Sequence, residues 1–216
     1  MRKKEKFYMK YKHVVFDLDG TLLDSDRSLF LAWRDTFRQF GKYCSDEEIY
    51  ASFGKTRWDI FGMFGVDKPD EFWEAWKKNY KRLSADVGFF DGVNDLLGEL
   101  KERGIKTGLV TSRAREELDA YFSDLLKGVF DYEVCADDTK KHKPDPEPLL
   151  YYAARAGIEP KDCVYIGDMP TDVRCANAAG ADSAIIVWKK EREEAAQQAG
   201  AKYIFHSLKE ISEAVE

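Results

Sequence analysis

The sequence predicts an α/β protein, a parallel sheet covered by helices. Short apolar, strand-like runs alternate with segments of helical period along most of the chain. Glycines close several helical segments, at Gly104, Gly157 and Gly180, where a residue free to turn left-handed stops a helix. A third feature agrees: Asp17-Leu18-Asp19-Gly20-Thr21 directly follows the apolar run Val14-Val15-Phe16. Two acids there suit packing poorly, but strand ends in an open α/β sheet are where ligands bind.

The first strand is expected at residues 13–16. From about Ser25 to Gly88 the rhythm breaks, over the length of a small helical module. Leu29, Phe30, Trp33, Phe37 and Phe40 recur at helical spacing and stop at Gly41. Ser45-Asp46-Glu47-Glu48 has the form of a capping box, and Thr56-Arg57-Trp58-Asp59 offers the cap of a third helix. A fourth starts near Pro69, with Phe72, Trp73, Trp76, Tyr80 and Leu83 as its apolar face. Four of the five tryptophans fall in this insert, which reads as the packed interior of a helical bundle. The alternation then resumes. Strands are expected at 105–111, 129–135, 162–166, 183–187 and 203–205. Helices are expected at 91–103, 115–126, 147–156, 172–179 and 207–215. The domain organisation expected is a core of residues 1–24 and 89–216 with a helical cap at 25–88.

With 216 residues, 44% of them hydrophobic, the chain can bury a core without disulfides or metal staples. A net charge of −6 argues against a general nucleic-acid binder. Residues 1–12 are basic but contain no apolar h-region, so they read as a solvated lead-in and not a secretory signal. Cys44, Cys135, Cys163 and Cys175 lack CxxC spacing, which implies neither zinc nor a disulfide framework and fits reduced thiols in the cytoplasm. No run approaches the length of a membrane span, so no membrane partner is expected. A monomer is the simplest expectation, with the insert's aromatics as the alternative dimer patch.

Four places carry chemistry: Asp17 with Asp19; Thr111-Ser112 after Leu109-Val110; Lys143 in His142-Lys143-Pro144; and Gly167-Asp168 with Asp172, after Val164-Tyr165-Ile166. Each has an ordinary use, as a helix cap, a solvated loop lysine or a turn. Their joint appearance, each on a separate strand end, points to one cleft. Two carboxylates about 4 Å apart repel by roughly 4 kcal/mol at an effective dielectric of 20, so four of them need cations. Lys143 supplies one, and oxygen-only ligands select a hard divalent ion, Mg²⁺. A proton on Asp19 would relieve the remainder and furnish a general acid, and one carboxylate of such a pair can attack phosphorus while the other moves a proton. Lys55 and Arg57, in the loop Gly54-Lys55-Thr56-Arg57-Trp58, could bind a second anionic group. Ser112-Arg113 offers a further anion contact, unless Arg113 only faces solvent.

These stretches resemble the four motifs of the haloacid-dehalogenase-like hydrolase superfamily, over about residues 13–187, nearly the whole chain. The phrases Phe16-Asp17-Leu18-Asp19-Gly20-Thr21-Leu22-Leu23-Asp24-Ser25 and Lys143-Pro144-Asp145-Pro146-Glu147-Pro148 share the likeness. The helical insert resembles the cap of the subgroup holding phosphoglycolate phosphatase and β-phosphoglucomutase. The resemblance implies a Rossmann-like core with the cap above the active site. It implies Asp17 as the nucleophile that becomes an aspartyl-phosphate, and Asp19 as acid and then base. Thr111 would bind phosphoryl oxygens and Lys143 would hold Asp17 and the phosphate in register. Asp168 would bind Mg²⁺ with Asp17 and the backbone carbonyl of Asp19, and Asp172 would support the metal shell. Dehalogenases of this fold carry an aromatic residue at position 19 and phosphonatases a small one, so Asp19 favours phosphate esters. The expected function is a Mg²⁺-dependent phosphatase of a small phosphorylated metabolite. A phosphomutase and a non-catalytic phosphate-binding module are the alternatives.

Overall fold

A computed structural model describes residues 11–189 and 192–215. The basic lead-in therefore lies outside the described residues up to position 10. Six parallel strands form one sheet: β1 (His13–Phe16), β2 (Lys106–Val110), β3 (Tyr132–Val134), β4 (Cys163–Gly167), β5 (Asp182–Ile186) and β6 (Tyr203–Phe205). Their order is β3-β2-β1-β4-β5-β6. All residues of β1 and β4 are buried, as central strands covered by helices on both faces should be. The chain steps outward from β1 to β3 and then returns to β1's other side. The carboxyl ends of β1 and β4 therefore flank the point where the strand order reverses. Phe16 is in register with both Leu109 and Ile166, so Asp17 emerges level with the ends of β2 and β4.

Between β1 and β2 lie α1 (Asp26–Gln39), α2 (Asp46–Tyr50), α3 (Arg57–Met63) and α4 (Pro69–Leu83). The two capping boxes are present, Ser45 with Glu48 and Thr56 with Asp59. Helices α1 and α4 pack together through Trp33, Phe37, Phe72 and Trp76, with the rings of Trp33 and Trp76 5.1 Å apart. Leu18 and Leu23 from the loop after β1, together with Leu118 and Phe122, belong to the same apolar cluster. The insert is thus packed over the carboxyl edge of the sheet. Of its four tryptophans Trp58 departs from expectation. It is 42% exposed and stacks on His142, outside the bundle interior.

The remaining helices are α5 (Val93–Glu102), α6 (Arg115–Tyr121), α7 (Ser123–Leu126), α8 (Glu147–Ala156), α9 (Pro170–Ala179), α10 (Glu193–Gln198) and α11 (Leu208–Ala214). Gly104, Gly157 and Gly180 take the expected left-handed conformation. The single helix expected at 115–126 is two. Phe122 leaves the helical region (φ −135°, ψ 11°) and turns its buried ring against the Arg113 guanidinium, 5.1 Å away. The short polar helix α10 was not anticipated, because a segment with one buried residue has no apolar period to read. All four cysteines are free thiols. Among the described residues no helix is long and apolar enough to cross a membrane.

Candidate active site

Asp17 is the first residue beyond β1, held in register by its N–H donating to the Ile166 carbonyl at 2.9 Å. Its carboxylate is buried. Lys143 comes from the loop before α8, and its ammonium donates to Asp17 Oδ1 and to Asp172 Oδ1, each at 2.7 Å, and to the Tyr165 hydroxyl at 3.1 Å. Asp172 lies in the first turn of α9 and also accepts the Met169 N–H at 3.0 Å. Asp168 directly follows β4; its Oδ1 accepts from Thr21 at 3.3 Å, and its other oxygen pairs with Arg192. Two glycines make room. A Cβ at Gly20, whose φ is +74°, would stand 2.5 Å from Asp168 Oδ2. A Cβ at Gly167 would stand 2.4 Å from the Cβ of Asp172.

Asp17, Asp168 and Asp172 each offer a carboxylate oxygen within 4.8 Å of the others, and all three are buried. Burial drives the Asp17 carboxyl up to about 7, against the opposing charge of Lys143 and with help from Asp172. Burial likewise pushes Asp168 well above the carboxylate range, opposed by Arg192 and reinforced by Asp17. For Lys143, burial works against the charge, but Asp17 and Asp172 outweigh it and hold the ammonium protonated. Three carboxylates crowded in burial, whose ionised forms an added cation would favour, offer hard oxygen donors, and this donor set fits a hard divalent cation.

Asp19 is placed differently. Its side chain turns from this cluster to Arg113, which grips it with Nε to Oδ2 at 2.6 Å and Nη2 to Oδ1 at 2.8 Å. Ser25 donates to Oδ1 at 2.6 Å. Burial raises the Asp19 carboxyl, but the Arg113 charge, its hydrogen bonds and that of Ser25 prevail and hold it below its ordinary value. The proton expected on Asp19 is thus disfavoured in this arrangement, because a paired guanidinium already does the neutralising. Nor does Arg113 face solvent: it is 4% exposed, with the Tyr80 hydroxyl accepting from Nη2 at 2.7 Å and Glu117 3.5 Å from Nη1. Sequence reasoning named Arg113 only as an anion contact or a solvent-facing residue; it missed the pairing with Asp19 and the buried Glu117. The available signal was position alone, two and six residues after Thr111.

Thr111 directly follows β2 and is buried; its Oγ1 accepts the Arg113 N–H at 3.2 Å. It does not cap α6, whose N-cap is Ala114. The Ser112 hydroxyl donates to the Gly54 carbonyl at 2.7 Å, pinning residues 54–56 above the sheet; Arg57 and Trp58, expected in this loop, instead open α3. Lys55 and Arg57 both line a cavity of about 60 Å³ that also touches Asp17, Asp19, Thr111 and Trp73. Arg57 is already engaged, paired with Glu116 and held between the rings of Trp58 and Trp73, each 4.6 Å away. Among the described residues no ion pair involves Lys55.

The model of one family, described as haloacid dehalogenase-like hydrolase, matches residues 14–186. A pyrophosphatase PpaX of Bacillus pumilus is 31% identical over 186 residues, which cover 84% of this chain and 86% of that protein. Another PpaX, from Oceanobacillus iheyensis, is 27% identical over 94% of this chain and 96% of its own length. Among solved structures, a candidate phosphoglycolate phosphatase from Lactobacillus plantarum superposes with a TM-score of 0.83. It is 26% identical over 95% of this chain and 100% of that one.

Proposed function

As the chain belongs to the haloacid dehalogenase-like hydrolase family, we propose that it is a Mg²⁺-dependent phosphatase acting on a small phosphorylated metabolite through an aspartyl-phosphate. The observation that carries this reading is the gathering of Asp17, Asp168 and Asp172 around Lys143 where the strand order reverses. Asp17, oriented by Lys143, attacks phosphorus. The bond from phosphorus to the leaving oxygen breaks, and Asp19, which Arg113 holds ionised in this arrangement and which must therefore take up a proton as the substrate binds, protonates that oxygen. Asp19 then takes a proton from the water that attacks the phosphoryl group, releasing phosphate and restoring the Asp17 carboxylate. Thr111 and the backbone N–H groups beside it bind the phosphoryl oxygens, and Lys143 neutralises their charge. Asp17, Asp168 and the Asp19 carbonyl would hold Mg²⁺, with Asp172 supporting that shell. The ion supplies charge neutralisation at the phosphoryl group, where positioning and electrostatics do most of the catalysis.

Residues 25–88 act as a cap. The cavity beneath it is lined by Lys55 and Arg57, whose charges suit an anionic leaving group. Inorganic pyrophosphate and phosphoglycolate, the compounds in the relatives' names, are therefore the first substrates to try. The test is phosphate release from a panel of small phosphate compounds, with Mg²⁺ and with EDTA, by the wild type and Asp17→Asn. Metal-dependent release that the variant lacks is expected. Release undiminished in the variant would sink the mechanism.

A further inference from the structure

We propose that Arg113 and Tyr80 form a positioning pair for Asp19, through which the seating of the helical insert over the sheet sets the orientation of that carboxylate. The proposal rests on the acid–base role given to Asp19 above. The Arg113 fork meets both Asp19 oxygens, and a bidentate guanidinium fixes the plane of a carboxylate as well as its distance. The same guanidinium lies 4.7 Å from the centre of the Tyr80 ring and donates to its hydroxyl. Tyr80 belongs to α4 of the insert, whereas Asp19, Glu117 and Phe122 belong to the remainder of the chain.

Tyr80 is itself immobilised. It is fully buried, stacked on Trp76 with ring centres 4.8 Å apart, and meets Tyr121 edge-on at 5.0 Å. The third guanidinium nitrogen, Nη1, is buried without a hydrogen bond. Beyond the bonds to Asp19, Tyr80 thus adds a hydrogen bond that joins the Glu117 carboxylate, 3.5 Å from Nη1, and the Phe122 ring in holding the fork against its carboxylate. Were the insert to lift, Nη2 would lose its second acceptor, and the pose of Asp19 would loosen while the phosphoryl-binding groups Thr111 and Lys143 stayed in place. The effect belongs to turnover and not to substrate affinity.

A double-variant cycle decides it. Wild type, Tyr80→Phe, Arg113→Lys and the double variant are assayed with Mg²⁺ on the panel compound that the wild type hydrolyses. Tyr80→Phe keeps the ring and its stacking, and should lower kcat about tenfold with KM within about twofold. Arg113→Lys keeps the charge but loses the fork, and should lower kcat about a hundredfold. Since Tyr80 acts through Arg113, the double variant should be no slower than Arg113→Lys. A Tyr80→Phe enzyme with wild-type kcat, a change confined to KM, or losses that multiply would overturn the pair. Because Tyr80→Phe spares the core, that arm decides even if Arg113→Lys fails to fold. Phosphate release absent from the wild type would overturn the phosphatase reading and the pair together. Release lost in Asp17→Asn but intact in Tyr80→Phe would overturn the pair alone.

Discussion

Lys143 bridges Asp17 and Asp172, its ammonium 2.7 Å from an oxygen of each, in a site where all three side chains are buried. One cation against two carboxylates, with Asp168 adjacent, makes Lys143 the counter-charge on which the folding of this site depends. Lys143→Met should cost about 3–5 kcal/mol of stability in EDTA, the range for leaving buried charge uncompensated. Saturating Mg²⁺ should narrow that loss, since a dication restores the balance. Urea unfolding of both proteins with and without Mg²⁺ measures it. Equal losses in the two conditions would mean the ion does not bind among these carboxylates.

Gly167 and Gly98 give opposite expectations for the same substitution. A methyl at Gly167 collides with the Asp172 side chain at 2.3–2.4 Å, so Gly167→Ala must displace a carboxylate that Lys143 holds. We expect a loss of about 1–3 kcal/mol and at least about a tenfold drop in kcat/KM. Gly98 sits exposed within α5 with nothing within 4 Å of an added Cβ. Gly98→Ala should stabilise by about 0.5–1 kcal/mol through helix propensity, with activity unchanged. Thermal unfolding and steady-state assays of the pair separate the two effects.

Which parts of this were legible in the sequence follows from how far each residue's reason lies along the chain. The strands, the capping boxes at Ser45 and Thr56 and the helix-ending glycines are local signals, and they matched to within a few residues. The clustered carboxylates were legible because acids directly after an apolar strand have no packing purpose, as at Asp17 and Asp168. The burial of Arg113 was not, because what buries it is Asp19, 94 positions away, and Tyr80 on the insert. Trp58 looked like core because its neighbours do, yet its partner His142 lies outside the insert. Asp19 looked like the carboxyl to protonate only while its guanidinium was invisible.

Arg57 and Lys55 share a cavity wall but not a task. Arg57 on α3 pairs with Glu116 on α6, joining the insert to the sheet's helices, while Lys55 enters no ion pair among the described residues. Arg57→Ala and Glu116→Ala should each lower stability by about 1 kcal/mol, and the double variant by little more than either, since each removes the same contact. Lys55→Ala should leave stability unchanged and raise KM about tenfold for substrates with an anionic leaving group. Additive losses for Arg57 and Glu116 in denaturant melts would show that the pair contributes nothing as a pair.

Glu117 makes stability depend on pH in a direction that is easy to test. Burial raises its carboxyl from 4.5 to about 7, against the charge of Arg113 and the Ala114 N–H, which donates to it at 3.0 Å. Between those values the folded protein keeps a proton that the unfolded chain has released. Its contribution to stability is therefore full below 4.5 and is lost as pH rises through 7, by about 3 kcal/mol across that window. Glu117→Gln remains neutral throughout. Relative to wild type, the variant should gain stability as pH rises from 5 to 8, read from urea midpoints at the two values. A difference that stays flat would mean Glu117 is already ionised when folded, its charge carried by Arg113 in spite of the burial.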